Sequence, residues 1–142
     1  MATLISKFLQ TNSEVKSWTQ KTLNGELQTW TTDEVADAIA NEKIVLIDVR
    51  TPAEYAFEHV EGAMLLPMAF FDPKFLPGEE GKTVVLMCGS SARSGKMACK
   101  ALMSGRERIA HLDGGFAAWK KAGQPYITTD MASGAPVRKA PD

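Results

Sequence analysis

Cysteine and histidine are scarce in this chain, with two of each in 142 residues. Cys88 and Cys99 cannot build a disulfide framework, and with His59 and His111 they do not make a metal site, so no metal is expected. The helix expected to follow Cys88 leads Cys99 away from it, beyond the ~7 Å Cα separation that a disulfide tolerates. Both thiols are therefore expected free, as in a reducing cytoplasm. No stretch approaches the roughly 18 apolar residues of a membrane span. The opening "MATLISKFLQTNSEVKSW" lacks the apolar core of a signal peptide. A cytoplasmic protein without a membrane partner is the expectation. Excess charge of one sign is missing too: the net charge is −1, which gives no global reason to expect a nucleic-acid partner.

What is present is a globular composition, 44% hydrophobic and 23% charged, in a length suited to one domain with a real core. Charge is sorted along the chain. Six Lys/Arg and one acid lie between Lys82 and His111, against eight acids and two bases between Asp33 and Glu61. The stretch around Cys88 is thus locally cationic and favours a small anionic ligand.

Apolar periodicity gives the organisation. Thr31 and Glu34 stand in capping-box spacing ahead of Val35, Ala38 and Ile39, which predicts a helix. "IVLID" (44–48) and "TVVLM" (83–87) read as strands buried on both faces. "AMLLP" and "RIAHL" read as further strands. Pro52 suits the first turn of a short helix running to about Glu58. Ser94 to Met103 reads as a helix with Met97, Ala98, Ala101 and Leu102 inward and Gly105 at the C′ position. "GGFAAWKKAG" is a helix bracketed by glycines, with Phe116 and Trp119 as core residues. Residues 1–28 are expected as an appended helical extension, with Leu4, Ile5, Phe8 and Leu9 at helical spacing and Val15 and Trp18 in a second segment. Residues 126–142 are expected as a loose tail. Alternating strands and helices predict an α/β domain, a parallel sheet covered on both faces. Sites in such sheets form beyond the carboxyl ends of strands, where Cys88 and Asp48 stand.

Cys88 ends an apolar strand and opens "CGSSARS". Gly89, Ser90, Ser91 and Ala92 are small enough for the backbone to curl around a sulfur or an oxyanion. Their amides, with those opening the next helix through Ser94, form an anion cradle. Helix N-termini and cations stabilise a thiolate, and Arg93 is placed to brace the loop or to face a ligand. Cys99 has no such surroundings and is expected to be a packed or half-exposed thiol.

"CGSSARS" resembles the active-site loop of rhodanese-like sulfurtransferases. "IDVRTPAEYAFEHVEGAMLLP" (47–67) is similar to that family's Asp-x-Arg signature. "HLDGGFAAWKKAGQP" (111–125) is similar to its closing signature through Gly114, Gly115, Ala118, Trp119, Gly123 and Pro125. The resemblance covers residues 29–125. It implies a five-stranded parallel sheet with helices on both faces and a Cys88 persulfide held by the amides of Gly89 to Ser94. It implies no cofactor, a small anionic sulfur donor such as thiosulfate or a persulfide, and a thiol or cyanide acceptor, with a protein as a further donor or acceptor. Asp48 and Arg50 correspond to the Asp-x-Arg and are expected to support the loop. Glycine is frequent in the family where this chain has Ser91 and Glu58. His59 and His111 are expected to be structural.

Two other classes compete. Cysteine phosphatases and arsenate reductases of similar fold place five residues between cysteine and arginine, and here there are four. A non-catalytic docking domain usually lacks the cysteine, and a persulfide carrier for one partner lies between the two.

Overall fold

Thr31 and Thr51 each open a helix with a reciprocal capping box, to Glu34 and Glu54 respectively. These boxes satisfy backbone donors that the first helical turn leaves unpaired. The computed structural model describes residues 4–6 and 18–140. Strands β1 (Leu4–Ser6), β2 (Trp18–Thr22) and β3 (Gly25–Trp30) precede helix α1 (Thr32–Ala40) and strand β4 (Ile44–Asp48). Helix α2 (Pro52–Phe57), short strands β5 (Glu58–His59) and β6 (Met64–Leu65), and two single 3₁₀ turns lead to β7 (Thr83–Met87). Then follow α3 (Ala92–Met103), β8 (Arg108–Leu112), α4 (Gly115–Lys121), β9 (Tyr126–Thr129) and β10 (Pro136–Lys139).

The main sheet has the order β1-β2-β3-β8-β7-β4-β6. The five strands from β3 to β6 run parallel, and β1 and β2 add to the β3 edge antiparallel. The expected α/β architecture is therefore present, with helices on both faces. Period-two alternation divides the core. Leu27, Ile47, Leu86, Cys88 and Ile109 pack on the α3 side with Ala98, Ala101 and Leu102. Val35, Leu46, Val85, Met87, Ala110, Leu112, Phe116 and Trp119 pack on the other. Cys88 thus shares a face with α3, and the same alternation puts Thr29 and His111 there beside it. Residue Gly105, at φ +115°, ends the last turn of α3 at the expected place.

Two expectations are corrected. Residues 18–28 are not helical: Trp18–Thr22 and Gly25–Trp30 form a hairpin, and Leu4–Ser6 pairs with it. The reason is a period of two, with Leu27 and Thr29 buried between half-exposed neighbours, and a Leu23–Asn24 turn closed by Gly25 at φ +140°. Phe8, Leu9 and Val15 lie outside the described residues. The stretch 126–142 is not a structureless tail in its described part. Strand β9 pairs with β10 and with β5 in a second, three-stranded sheet. Asp130 organises the connecting turn by accepting from the Ala132 amide and the Ser133 hydroxyl. Strand β10 is exposed along its whole length, so burial left no periodic mark on its sequence.

Candidate active site

Strand β7 ends at Met87 and α3 begins at Ala92, so Cys88 to Ser91 must turn the chain within four residues. The turn is made at Ser91, whose φ of +120° is a glycine-like conformation. That backbone aims the Ser91 amide at Cys88 Sγ, 3.1 Å away. The Ser94 hydroxyl lies 3.6 Å from the same sulfur. A glycine would adopt this φ without strain, but the serine hydroxyl contributes something glycine lacks. It accepts from the Gly114 amide at 3.1 Å and ties the loop to the opening of α4.

Carbonyls on the outside of the loop are held from the same direction. The Phe116 amide donates to the Cys88 carbonyl (2.8 Å) and the Ala117 amide to that of Gly89 (3.1 Å). Gly115 stands at φ +59° between them, and a Cβ there would lie 2.7 Å from both Gly89 C and Ser90 N. Only a glycine lets α4 approach this closely.

Cys88 is fully buried. Burial pushes its thiol up, but the Ser94 amide and hydroxyl and the Ser90 and Ser91 amides outweigh it, leaving the thiol below its ordinary range. A lowered value means that thiolate is present at lower pH than for a free cysteine. Alkylation of Cys88 by iodoacetamide is therefore expected to reach half-maximal rate below the reference value of about 8.5. A midpoint at or above that reference would show that the loop does not activate this thiol. Cys99, expected to be packed or half-exposed, is instead exposed on α3.

Arg93 is committed elsewhere than the sulfur. It makes a bidentate pair with Glu54, 2.7 and 2.9 Å, and the Arg93 hydrogen bonds hold that carboxyl down at about 2. Glu54 is the third residue of α2 and caps Thr51 with the same oxygen. Thr51 and Glu54 have capping-box spacing, a signal the sequence reading did not use, and nothing in that spacing shows that Glu54 reaches Arg93.

Asp48 and Arg50 stand at the end of β4 as a buried pair. Arg50 donates from Nε and Nη2 to the Asp48 carboxylate at 2.7–3.0 Å, and from Nη2 to the Glu58 carbonyl at 2.7 Å. Its guanidinium lies 4.6 Å from the centroid of the Phe116 ring. The pair therefore reaches the loop through the residue whose amide holds the Cys88 carbonyl. His59 donates from Nδ1 to the Tyr55 carbonyl (2.7 Å) and stacks on the Tyr55 ring at 3.9 Å, a packing role. Glu58 pairs with Lys120 at 2.7 Å. His111 is different: it is buried, 3.0 Å from the Ser94 hydroxyl.

The family profile described as "Rhodanese-like domain" matches residues 31–122. The chain belongs to the rhodanese-like family. An uncharacterized protein of Synechocystis is 45% identical over 91 residues, covering 64% of this chain and 51% of that protein. The chain thus spans about half the length of that relative. A protein of Allochromatium vinosum named "Sulfurtransferase" is 33% identical over 89 residues, covering 63% of this chain and 83% of its own. The solution structure of the rhodanese-like domain of an Anabaena protein superposes with a TM-score of 0.63. It is 21% identical and covers 77% of this chain and 84% of that one. The rhodanese-like fold and the cysteine loop described above thus occur together in this chain. Among the described residues no group of three or more His, Cys, Asp or Glu is placed to hold a metal ion. No described helix is long and apolar enough to cross a membrane.

Proposed function

We propose that the chain is a sulfurtransferase that carries a sulfane sulfur as a Cys88 persulfide. The observation that carries this reading is the Ser91 amide 3.1 Å from Cys88 Sγ, in a loop with four residues between cysteine and arginine. In the first step the Cys88 thiolate attacks the outer sulfur of a donor. With thiosulfate, an S–S bond forms at Sγ, the donor's S–S bond breaks, and its electron pair leaves with sulfite. The persulfide anion then lies against the amides of Gly89, Ser90, Ser91, Ala92, Arg93 and Ser94. In the second step a thiol or cyanide acceptor attacks the outer sulfur, and the electron pair of the breaking bond returns to Sγ as thiolate. This is covalent, two-step catalysis. Asp48 and Arg50 support the loop through Phe116. A cytoplasmic setting, where free thiols persist, suits both Cys88 and Cys99. The test is intact mass after incubation with thiosulfate or a persulfide donor. A reducible gain of one sulfur on Cys88 is expected, and an unchanged mass with both donors overturns the reading.

The same count of four residues argues against cysteine phosphatase or arsenate reductase chemistry, whose cradle needs a fifth residue to surround a tetrahedral oxyanion.

The Glu54–Arg93 pair bears on the donor. Thiosulfate is a dianion, and the loop offers it one cation whose charge Glu54 already offsets. Thiosulfate is expected to work poorly, with a KM at or above the roughly millimolar upper end of common values, and a persulfide donor better. Glu54→Gln keeps the helix cap, since glutamine serves at that position, and removes the competing charge. It is expected to lower the thiosulfate KM about tenfold while changing that of a singly charged persulfide far less. Steady-state kinetics with both donors checks this. An equal effect on both would show that Arg93 does not read donor charge.

A further inference from the structure

Behind the cysteine loop, three adjacent strands and α3 bring a buried polar chain together. Register pairs Thr29 of β3 with His111 of β8, and His111 with Leu86 of β7, two residues before Cys88. His111 Nδ1 is 3.0 Å from Ser94 Oγ, and His111 Nε2 is 3.2 Å from Thr29 Oγ1. Ser94 Oγ is in turn 3.6 Å from Cys88 Sγ and 3.1 Å from the Ser91 carbonyl. Thr29, Ser94, His111 and Cys88 are all buried.

We propose that His111 is a positioning residue for the sulfur chemistry: its Nδ1–H holds the Ser94 hydroxyl so that the hydroxyl proton points at Cys88 Sγ. This rests on the reading of Cys88 as the sulfur carrier. The argument is one of proton count. Ser94 Oγ has one proton and three neighbours able to accept it: the sulfur, the Ser91 carbonyl and His111 Nδ1. An unprotonated Nδ1 would draw that proton away from the sulfur. A protonated Nδ1 donates to Ser94 instead and leaves the hydroxyl proton free. A thiolate then outcompetes the neutral Ser91 carbonyl, because hydrogen bonds to an ionised acceptor are about twice as strong as neutral ones. With the proton on Nδ1, Nε2 is an acceptor, and the Thr29 hydroxyl 3.2 Å away is the donor that satisfies it.

The ring acts as a neutral imidazole. Burial pushes His111 below its ordinary value, and Asp113 opposes this only in part. The other charged groups around the chain are already paired: Arg93 of α3 with Glu54 of α2, and Arg50 with Asp48 beyond β4. The relay matters in both steps. It stabilises the attacking thiolate, and it receives the same charge when Sγ becomes the leaving group of the persulfide.

The test begins with the unmodified protein. Above the Cys88 titration, the ¹⁵N shifts of the His111 ring are expected to show the proton on Nδ1. A ring protonated on Nε2 overturns the proposal whatever the variants do. Two substitutions then separate the relay from simple packing. Asparagine places an amide N–H near the position of Nδ1, whereas glutamine reaches toward Thr29 and leaves Ser94 without a donor. His111→Gln is expected to raise the midpoint of Cys88 alkylation by about one pH unit, and His111→Asn by about a third of that or less. In the double variant Ser94→Ala/His111→Gln, the shift is expected to match that of Ser94→Ala alone. An unchanged midpoint in His111→Gln, or full additivity in the double variant, overturns the relay. The sulfur-carrier reading fails separately, as a missing mass gain on Cys88 with the midpoint shifts intact.

Discussion

Cys88→Ser is expected to reduce sulfur transfer to the uncatalysed background, a loss of more than about a thousandfold, while Cys99→Ser keeps most of it. The two thiols differ in surroundings rather than in chemistry. Cys88 Sγ lies against the Ser91 amide and the Ser94 hydroxyl at the head of α3, whereas Cys99 is exposed about two turns into the same helix. A serine hydroxyl at position 88 still accepts from the Ser91 amide, so the fold is retained and only the nucleophile is lost. Its alkoxide is out of reach at neutral pH, and no loop of amides brings it within reach. The measurement is transfer to cyanide with thiosulfate and with a persulfide donor, beside a thermal melt of each variant. Transfer at the native rate in Cys88→Ser would move the reacting sulfur elsewhere.

Gly115→Ala is expected to cost both stability and turnover. Two physical terms add. An alanine at φ +59° pays the left-handed penalty of about 1–2 kcal/mol. The new methyl also meets the Cys88 carbonyl and the Gly89–Ser90 peptide at van der Waals overlap, which adds roughly 1–3 kcal/mol. The backbone that must yield is the one holding the sulfur's hydrogen-bond donors. A fall in melting temperature should therefore accompany a loss of at least about a hundredfold in kcat/KM, since displacement of about 1 Å is enough for that. Addition of a methyl at Gly62, where nothing lies within 4 Å, is the control for the left-handed penalty alone. Comparable losses in Gly62→Ala and Gly115→Ala would show that the contact with the loop is not what matters.

Much of this was legible in the sequence, because it follows from local rules. The buried runs at 44–48 and 83–87, the capping box at Thr31, Pro52 and the helix after Cys88 each carry their signal within a few residues. So does the loop, since four small residues between a strand and a helix leave the backbone few ways to turn. The Asp-x-Arg signature located Asp48 and Arg50, but their ion pair rests on burial and on Phe116, a partner 66 residues from Arg50 in the chain. Glu54 and Arg93, 39 residues apart, meet only because α2 and α3 rise from neighbouring strands. His111 reads as structural from sequence because persulfide transfer needs no strong general acid. Its partners, Thr29 and Ser94, belong to a different strand and a helix. The hairpin at 18–30 is hidden for another reason: apolar residues at the N-terminus fit a helical spacing, and the alternation after Trp18 is polar and threonine-rich, with little apolar contrast between its faces.

The grip of α4 on the outside of the loop has a consequence for how charge moves. With the Cys88 and Gly89 carbonyls bound to the Phe116 and Ala117 amides, neither peptide plane can flip without breaking its bond to α4. The Gly89 and Ser90 amides in those two planes are therefore fixed in one orientation before any donor arrives. On the sulfur-carrier proposal, negative charge would pass from Sγ to the outer sulfur and back beside dipoles that do not have to rearrange, as the solvent shell of a free thiolate must. The helix on the far side of the loop would thus lower the reorganisation energy of the proposed reaction, which none of its own side chains touches.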